Sequence, residues 1–132
     1  MEKYEVNKYL EKFEKSVQDL HLALNYEELT TKLKLLNDEI ISPNFWDDSK
    51  KSNKVIAELN VVKEKVNTIS EVNKGYDDIK ELYEMYTLDE SEEMKELLEE
   101  EILNFNTLVE ETTIKVILNG EYDDNDVILE IH

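Results

Sequence analysis

The sequence has no cysteine, no arginine, one proline and only two glycines in 132 residues. The lack of cysteine excludes disulfide staples and thiolate metal sites, and it fits a reducing compartment. Scarce proline and glycine remove the usual helix breakers and favour long helices. No apolar run approaches the ~20 residues of a membrane helix. The first residues, Met1-Glu2-Lys3-Tyr4-Glu5, are charged, and no apolar core of a signal peptide follows them. A cytoplasmic location and no membrane partner are therefore expected. The length points to a single core-forming domain.

What is abundant is negative charge. The formal net charge is −18, and all 15 basic residues are lysines. Residues 1–75 hold 12 lysines against 14 acids, whereas residues 76–132 hold 3 lysines against 19 acids. Such a surface repels phosphate and has no favourable counterion-release term for nucleic acid. It also has no guanidinium fork for phosphate or guanine. Direct nucleic-acid binding is not expected, whereas a basic protein would be steered toward the second half. A solvated acidic helix face without a partner is the plain alternative.

Apolar residues recur at helical spacing through most of the chain. Val6, Tyr9, Leu10, Phe13, Val17 and Leu20 predict a helix over residues 3–20. A second helix is predicted to start near Asn25, where Asn25 and Glu28 suggest a capping box, and to carry Leu29, Leu33, Leu36 and Ile40. Pro43 should stop it near Ile41. Asp47 or Asp48 can then cap a third helix.

The third helical segment is long; unbroken it would run over about residues 48–86, with its continuity at Gly75 left open. Val55, Leu59, Val62, Val66, Ile69, Val72, Tyr76, Ile79, Tyr83 and Tyr86 follow one another by three or four, as in a coiled-coil seam. Gly75 lies inside it, at a propensity cost of about 1 kcal/mol relative to alanine. Residues 87–91 read as a tight connection to a fourth helix that carries Met94, Leu97, Leu98, Ile102, Phe105, Leu108 and Val109. A short connection implies an antiparallel pair. The β-branched runs at residues 112–118 and 127–131, separated by Asn119-Gly120, read as a hairpin. The expected fold is thus mainly α. It is an elongated, antiparallel, coiled-coil-like bundle of about four helices in residues 1–112, with a short C-terminal β-hairpin or strand in residues 113–132.

Chemistry is sparse. His21 and His132 lack a companion histidine at metal-ligand spacing and read as surface or packing residues. The acidic loop from Glu121 to Asp126 lacks the glycine and spaced glutamate of a calcium loop. Neither a phosphate-binding glycine loop nor a nucleophile elbow occurs. The glutamates near residues 92–101 read as a solvated face, not as paired catalytic carboxylates. Phe45 and Trp46 form an aromatic pair in a loop. They would either dock a partner or plug one end of the bundle, and plugging is the favoured reading. No catalytic residue, metal ligand or cofactor is expected.

Two stretches carry a resemblance. Ser42-Pro43-Asn44-Phe45-Trp46-Asp47-Asp48 resembles the Asp-Pro-x-Phe-Trp-x-Asp segment of the bacterial peptide chain release factor 2 family. Leu118-Asn119-Gly120-Glu121-Tyr122-Asp123 and the run after it resemble that family's Ser-Gly-Glu-Tyr-Asp segment. Ser42 and Asn119 depart from the usual aspartate and serine. The matching signature positions are Phe45, Trp46, Asp47, Gly120, Glu121 and Tyr122, all read as structural.

The resemblance implies the first, non-catalytic domain of a protein that ends translation at UAA and UGA codons. In the family, the codon-reading Ser-Pro-Phe and the catalytic Gly-Gly-Gln lie downstream of this region. It further implies two partners, the ribosome at a stalk-base protein of the large subunit and the remaining domains of the parent factor. The competing reading is a free-standing acidic coiled-coil adaptor for a basic protein.

Overall fold

In the computed structural model, residues 1–118 are described. They form α1 (Lys3–Leu24), α2 (Tyr26–Ile40), a 3-10 turn (Phe45–Asp47), α3 (Ser49–Leu88), α4 (Glu92–Thr113) and a π-helical turn (Ile114–Leu118). α3 is unbroken for 40 residues, or about 60 Å at 1.5 Å per residue. Asp48 caps it, accepting hydrogen bonds from the backbone N–H groups of Lys50 and Lys51 at 3.1 and 3.3 Å. Ser91 caps α4 through its hydroxyl, which accepts from the Met94 N–H at 3.2 Å.

α1 and α2 run one after the other along α3, antiparallel to it. His21 Nε2 lies 2.7 Å from Asn73 Oδ1, and Lys32 pairs with Glu58 at 2.7 Å. Between α1 and α2, Asn25 takes a left-handed conformation at φ 50° and ψ 63°, which asparagine tolerates better than most residues. The capping box expected there does not form. Asn25 ends α1 instead, its N–H bonding back to the His21 and Leu22 carbonyls, and its side-chain amide donates to the Glu28 carboxylate.

α4 packs antiparallel to α3, as the short connection predicts, with Gly75 against Phe105. It lies parallel to α1. The Met1 ammonium pairs with Glu99, and Lys12 Nζ reaches Asn106 Oδ1 at 2.7 Å and Glu110 at 3.3 Å.

Two hydrophobic cores are strung along α3. The larger one holds Val6, Phe13 and Leu20 of α1, Ile69, Val72 and Ile79 of α3, and Leu98, Ile102, Phe105 and Val109 of α4. The smaller one joins Leu36 of α2 and Phe45 to Val55, Leu59 and Val62 of α3. Leu29 touches both. The molecule is therefore a three-helix bundle with a two-helix extension. Between the cores, Lys65 takes the buried position expected of Val66, at 7% exposure, and Val66 is half-buried beside it. A lysine can occupy such a position because its aliphatic stem packs while its ammonium reaches outward.

One expectation is overturned. Residues 112–118 are helical, and no strand occurs among the described residues. The buried stripe of α4 runs Leu98, Ile102, Phe105, Val109, Thr112, Val116, in steps of four and three. Val116 joins the larger core, and the π-helical turn packs against α1. Burial on that face outweighs the β-preference of Thr112, Thr113, Ile114 and Val116, which depends strongly on context. The second run, residues 127–131, lies outside the described residues.

Candidate functional site

The far end of the two-helix extension is built around the Phe45–Trp46 pair. Chain reversal after α2 starts where Pro43 prevents further helix, and the 3-10 turn then folds back onto α3. Ser52 fixes that turn. Its buried hydroxyl sits within hydrogen-bond reach of the Phe45 carbonyl and of the Asp48 carbonyl, the latter at 2.8 Å.

The two aromatics have separate roles. Phe45 is 6% exposed and fills the smaller core, as the plug reading expects. Trp46 is 64% exposed, so it plugs nothing. It stands edge-on to Phe45, with ring centroids 4.8 Å apart at 86°. Ile41, also exposed, belongs to the same tip. Asp47 is exposed beside Trp46, and the capping role falls to Asp48. A large indole held against a buried ring in solvent resembles the anchors that dominate protein interfaces. In sequence, two adjacent aromatics give no sign of which one faces inward.

Gly120, Glu121 and Tyr122 lie outside the described residues, as do the Glu121 to Asp126 loop and His132. His21 is a packing residue, with Asn73 on one side and the Tyr26 ring 4.8 Å away. Tyr76, Tyr83 and Tyr86 pack against the larger core. Burial pushes the Tyr76 hydroxyl above its ordinary pKa, with the nearby Glu14 carboxylate adding to it, while the Lys80 ammonium stands over its ring, 4.6 Å from the centroid. Among the described residues, no cluster of histidine, aspartate or glutamate is arranged to hold a metal ion. Nor is any helix among them long and apolar enough to cross a membrane.

The second surface is the outer side of the α3–α4 pair. Glu92, Glu93, Glu96, Glu100 and Glu101 are exposed along α4, and Asp77, Asp78, Glu81 and Glu84 along α3. Few cations neutralise them locally: Lys74 pairs with Asp78 at 3.0 Å, Lys80 with Asp77 at 3.6 Å, and Lys3 with Glu90 at 3.1 Å. The Glu90 carboxylate holds the Lys3 ammonium above its ordinary pKa, and the Met1 ammonium holds Glu99 below the ordinary carboxylate range. Such a surface can attract and orient a cationic macromolecule.

Comparison with known proteins gives a consistent picture. The PCRF domain matches residues 29–132. Peptide chain release factor 2 of Acholeplasma laidlawii is 42% identical over 132 residues, which is 100% of this chain and 36% of that protein. The proteins of the same name from Staphylococcus aureus (strain COL) and from a Nitratiruptor species are each 30% identical over the same 132 residues, again 36% of their length. The chain thus spans about a third of the length of these curated relatives. No solved structure matches it.

Proposed function

The chain belongs to the PCRF domain family, and from that premise we propose that it is the helical docking domain of a factor that ends translation at UAA and UGA codons. In this reading residues 1–112 form the first domain and residues 113–132 lead into the domain that follows. The domain is non-catalytic, works in the cytoplasm, and seats the parent factor at a stalk-base protein of the large ribosomal subunit. The observation that carries the reading is the PCRF match, which covers most of α2 and all of α3 and α4. Charge supports it, because an acidic helix pair suits a basic ribosomal protein better than ribosomal RNA. The exposed indole of Trp46, at the end of the helical extension, supplies an apolar anchor that charge alone would not.

The chain itself is the reagent for the test. Mixed with ribosomes that hold peptidyl-tRNA at a stop codon, it is expected to release no peptide. Added in excess, it is expected to slow release by an intact factor, through competition for the docking position. Trp46→Ala should weaken that competition about tenfold without changing the helical circular dichroism, since truncating an interface anchor typically costs more than about 1 kcal/mol. Codon-dependent release by the chain alone would contradict the reading, as would a lack of any competition. A chain that ignores ribosomes yet binds another basic protein would favour the adaptor.

A further inference from the structure

α3 and α4 leave a groove between them on the side away from α1. α1 meets α3 through residues such as Asn73 and meets α4 through Asn106 and Glu110. The groove opens elsewhere on both helices. One part is lined by Asp78, Ile79, Leu82, Met85, Leu97 and Glu101. Its continuation along the same helix pair is lined by Glu71, Lys74, Gly75, Asn104, Phe105 and Leu108.

The floor is apolar, and two of its members are unusually open to water, Met85 at 51% and Leu97 at 44% exposure. The rim is acidic. Among the described residues, Glu71, Glu81 and Glu101 form no ion pair, and Asp78 has only Lys74. From residue 71 to residue 85 the groove follows α3 for about 21 Å at 1.5 Å per residue. That length suits a helix of about four turns.

We propose that this groove is a receptor for a cationic amphipathic helix of a partner protein. The occupant would lay apolar residues spaced i, i+3, i+4 and i+7 onto Leu82, Met85 and Leu97, and set lysines or arginines against Glu71, Asp78, Glu81 and Glu101. Glu71 and Asp78 are seven residues apart, two turns on one side of α3, so basic residues seven apart on the occupant would face both. A second copy of this chain is a poor occupant, since it would bring its own carboxylates to the same rim. Nucleic acid is excluded on the same ground. The groove lies on the acidic α3–α4 pair that the ribosomal reading also invokes, away from the Trp46 tip, and the proposal holds whether or not its partner is ribosomal.

Net charge alone would attract any cationic peptide, so the test must separate field from fit. The probe is a synthetic sixteen-residue lysine–leucine peptide whose leucines occupy one helical face. A scrambled peptide of the same composition spreads its leucines around the helix. Near physiological salt, the amphipathic peptide is expected to bind at least about tenfold tighter than the scrambled one, and amide shifts should centre on Leu82, Met85 and Leu97. Leu97→Asp adds a negative charge, so attraction by field alone would grow, whereas loss of groove fit should weaken binding about tenfold. Met85→Asp makes the same distinction if the first variant fails to fold. Equal binding of the two peptides would overturn the proposal. So would unchanged or tighter binding by the aspartate variant, shifts centred on another face, or self-association through the groove.

Discussion

Replacing Phe13 with alanine is expected to destabilise the chain by about 3–5 kcal/mol, the range for truncating a buried phenylalanine. Phe13 is fully buried at the centre of the larger core. Its ring meets Phe105 edge to face, with centroids 4.8 Å apart at 89°, and lies 5.8 Å from the ring of Tyr9. Such aromatic pairs contribute about 0.5–1.5 kcal/mol beyond the area they bury. Three helices converge on this side chain, so no single helix can shift to fill the void without disturbing the other two. Small domains are stable by only about 5–15 kcal/mol, so the variant should melt far below the parent. Urea titration followed by circular dichroism measures the loss. A change of less than about 1 kcal/mol, within the ordinary scatter of point mutants, would mean that α1 does not pack on α3 and α4 as described.

Gly75→Ala is expected to destabilise the chain by about 1–3 kcal/mol, the usual range for overpacking, although propensity alone predicts a gain of about 1 kcal/mol. A Cβ at residue 75 would stand 2.4 Å from Cε1 and 2.6 Å from Cδ1 of Phe105. These are ring atoms, not the end of a flexible chain, and Phe13, packed edge to face against the ring, holds it on one side. Either α3 and α4 move apart or Phe105 leaves its rotamer. The decisive measurement is a double-mutant cycle with Phe105→Leu, which frees space at the contact. Alanine at position 75 should be harmful with phenylalanine at 105 and neutral or favourable with leucine there. A raised melting temperature for the single Gly75→Ala variant would refute the close approach.

How much of this was legible follows from which signals are local. The α2 stop at Pro43 depends on a few neighbouring residues, and the sequence predicts it. The same local signals narrow the α3 cap to Asp47 or Asp48 and leave the continuity of α3 at Gly75 open, and the structure selects Asp48 and an unbroken helix. The antiparallel α3–α4 pair follows from a connection too short for anything else. Gly75 reads as a weak point in a helix, because its partner lies thirty residues away and only packing brings Phe105 to it. The inward Phe45 and outward Trp46 differ by one position, and the direction of each depends on how the turn lands on Ser52. At residues 112–118 two local signals compete. The β-branched composition points to a strand, while the four–three stripe through Val109, Thr112 and Val116 points to helix. The stripe continues past Thr112 to Val116 and prevails, since burial decides such contests.

The two cores share a single helix, and this bears on how the molecule opens. Residues 69–88 of α3 are held by two neighbours, whereas residues 49–66 are held by α2 and one turn. Local stability tracks the packing that must be broken. The extension can therefore unzip while the three-helix part stays closed, and the remainder of α3 is left as a frayed end. Amide hydrogens along this one helix should exchange in two classes, fast before about residue 66 and slow after it, a boundary set by the depth of packing on each side. The tip that carries Trp46 would then be tethered by a spring softer than its 40-residue helix suggests.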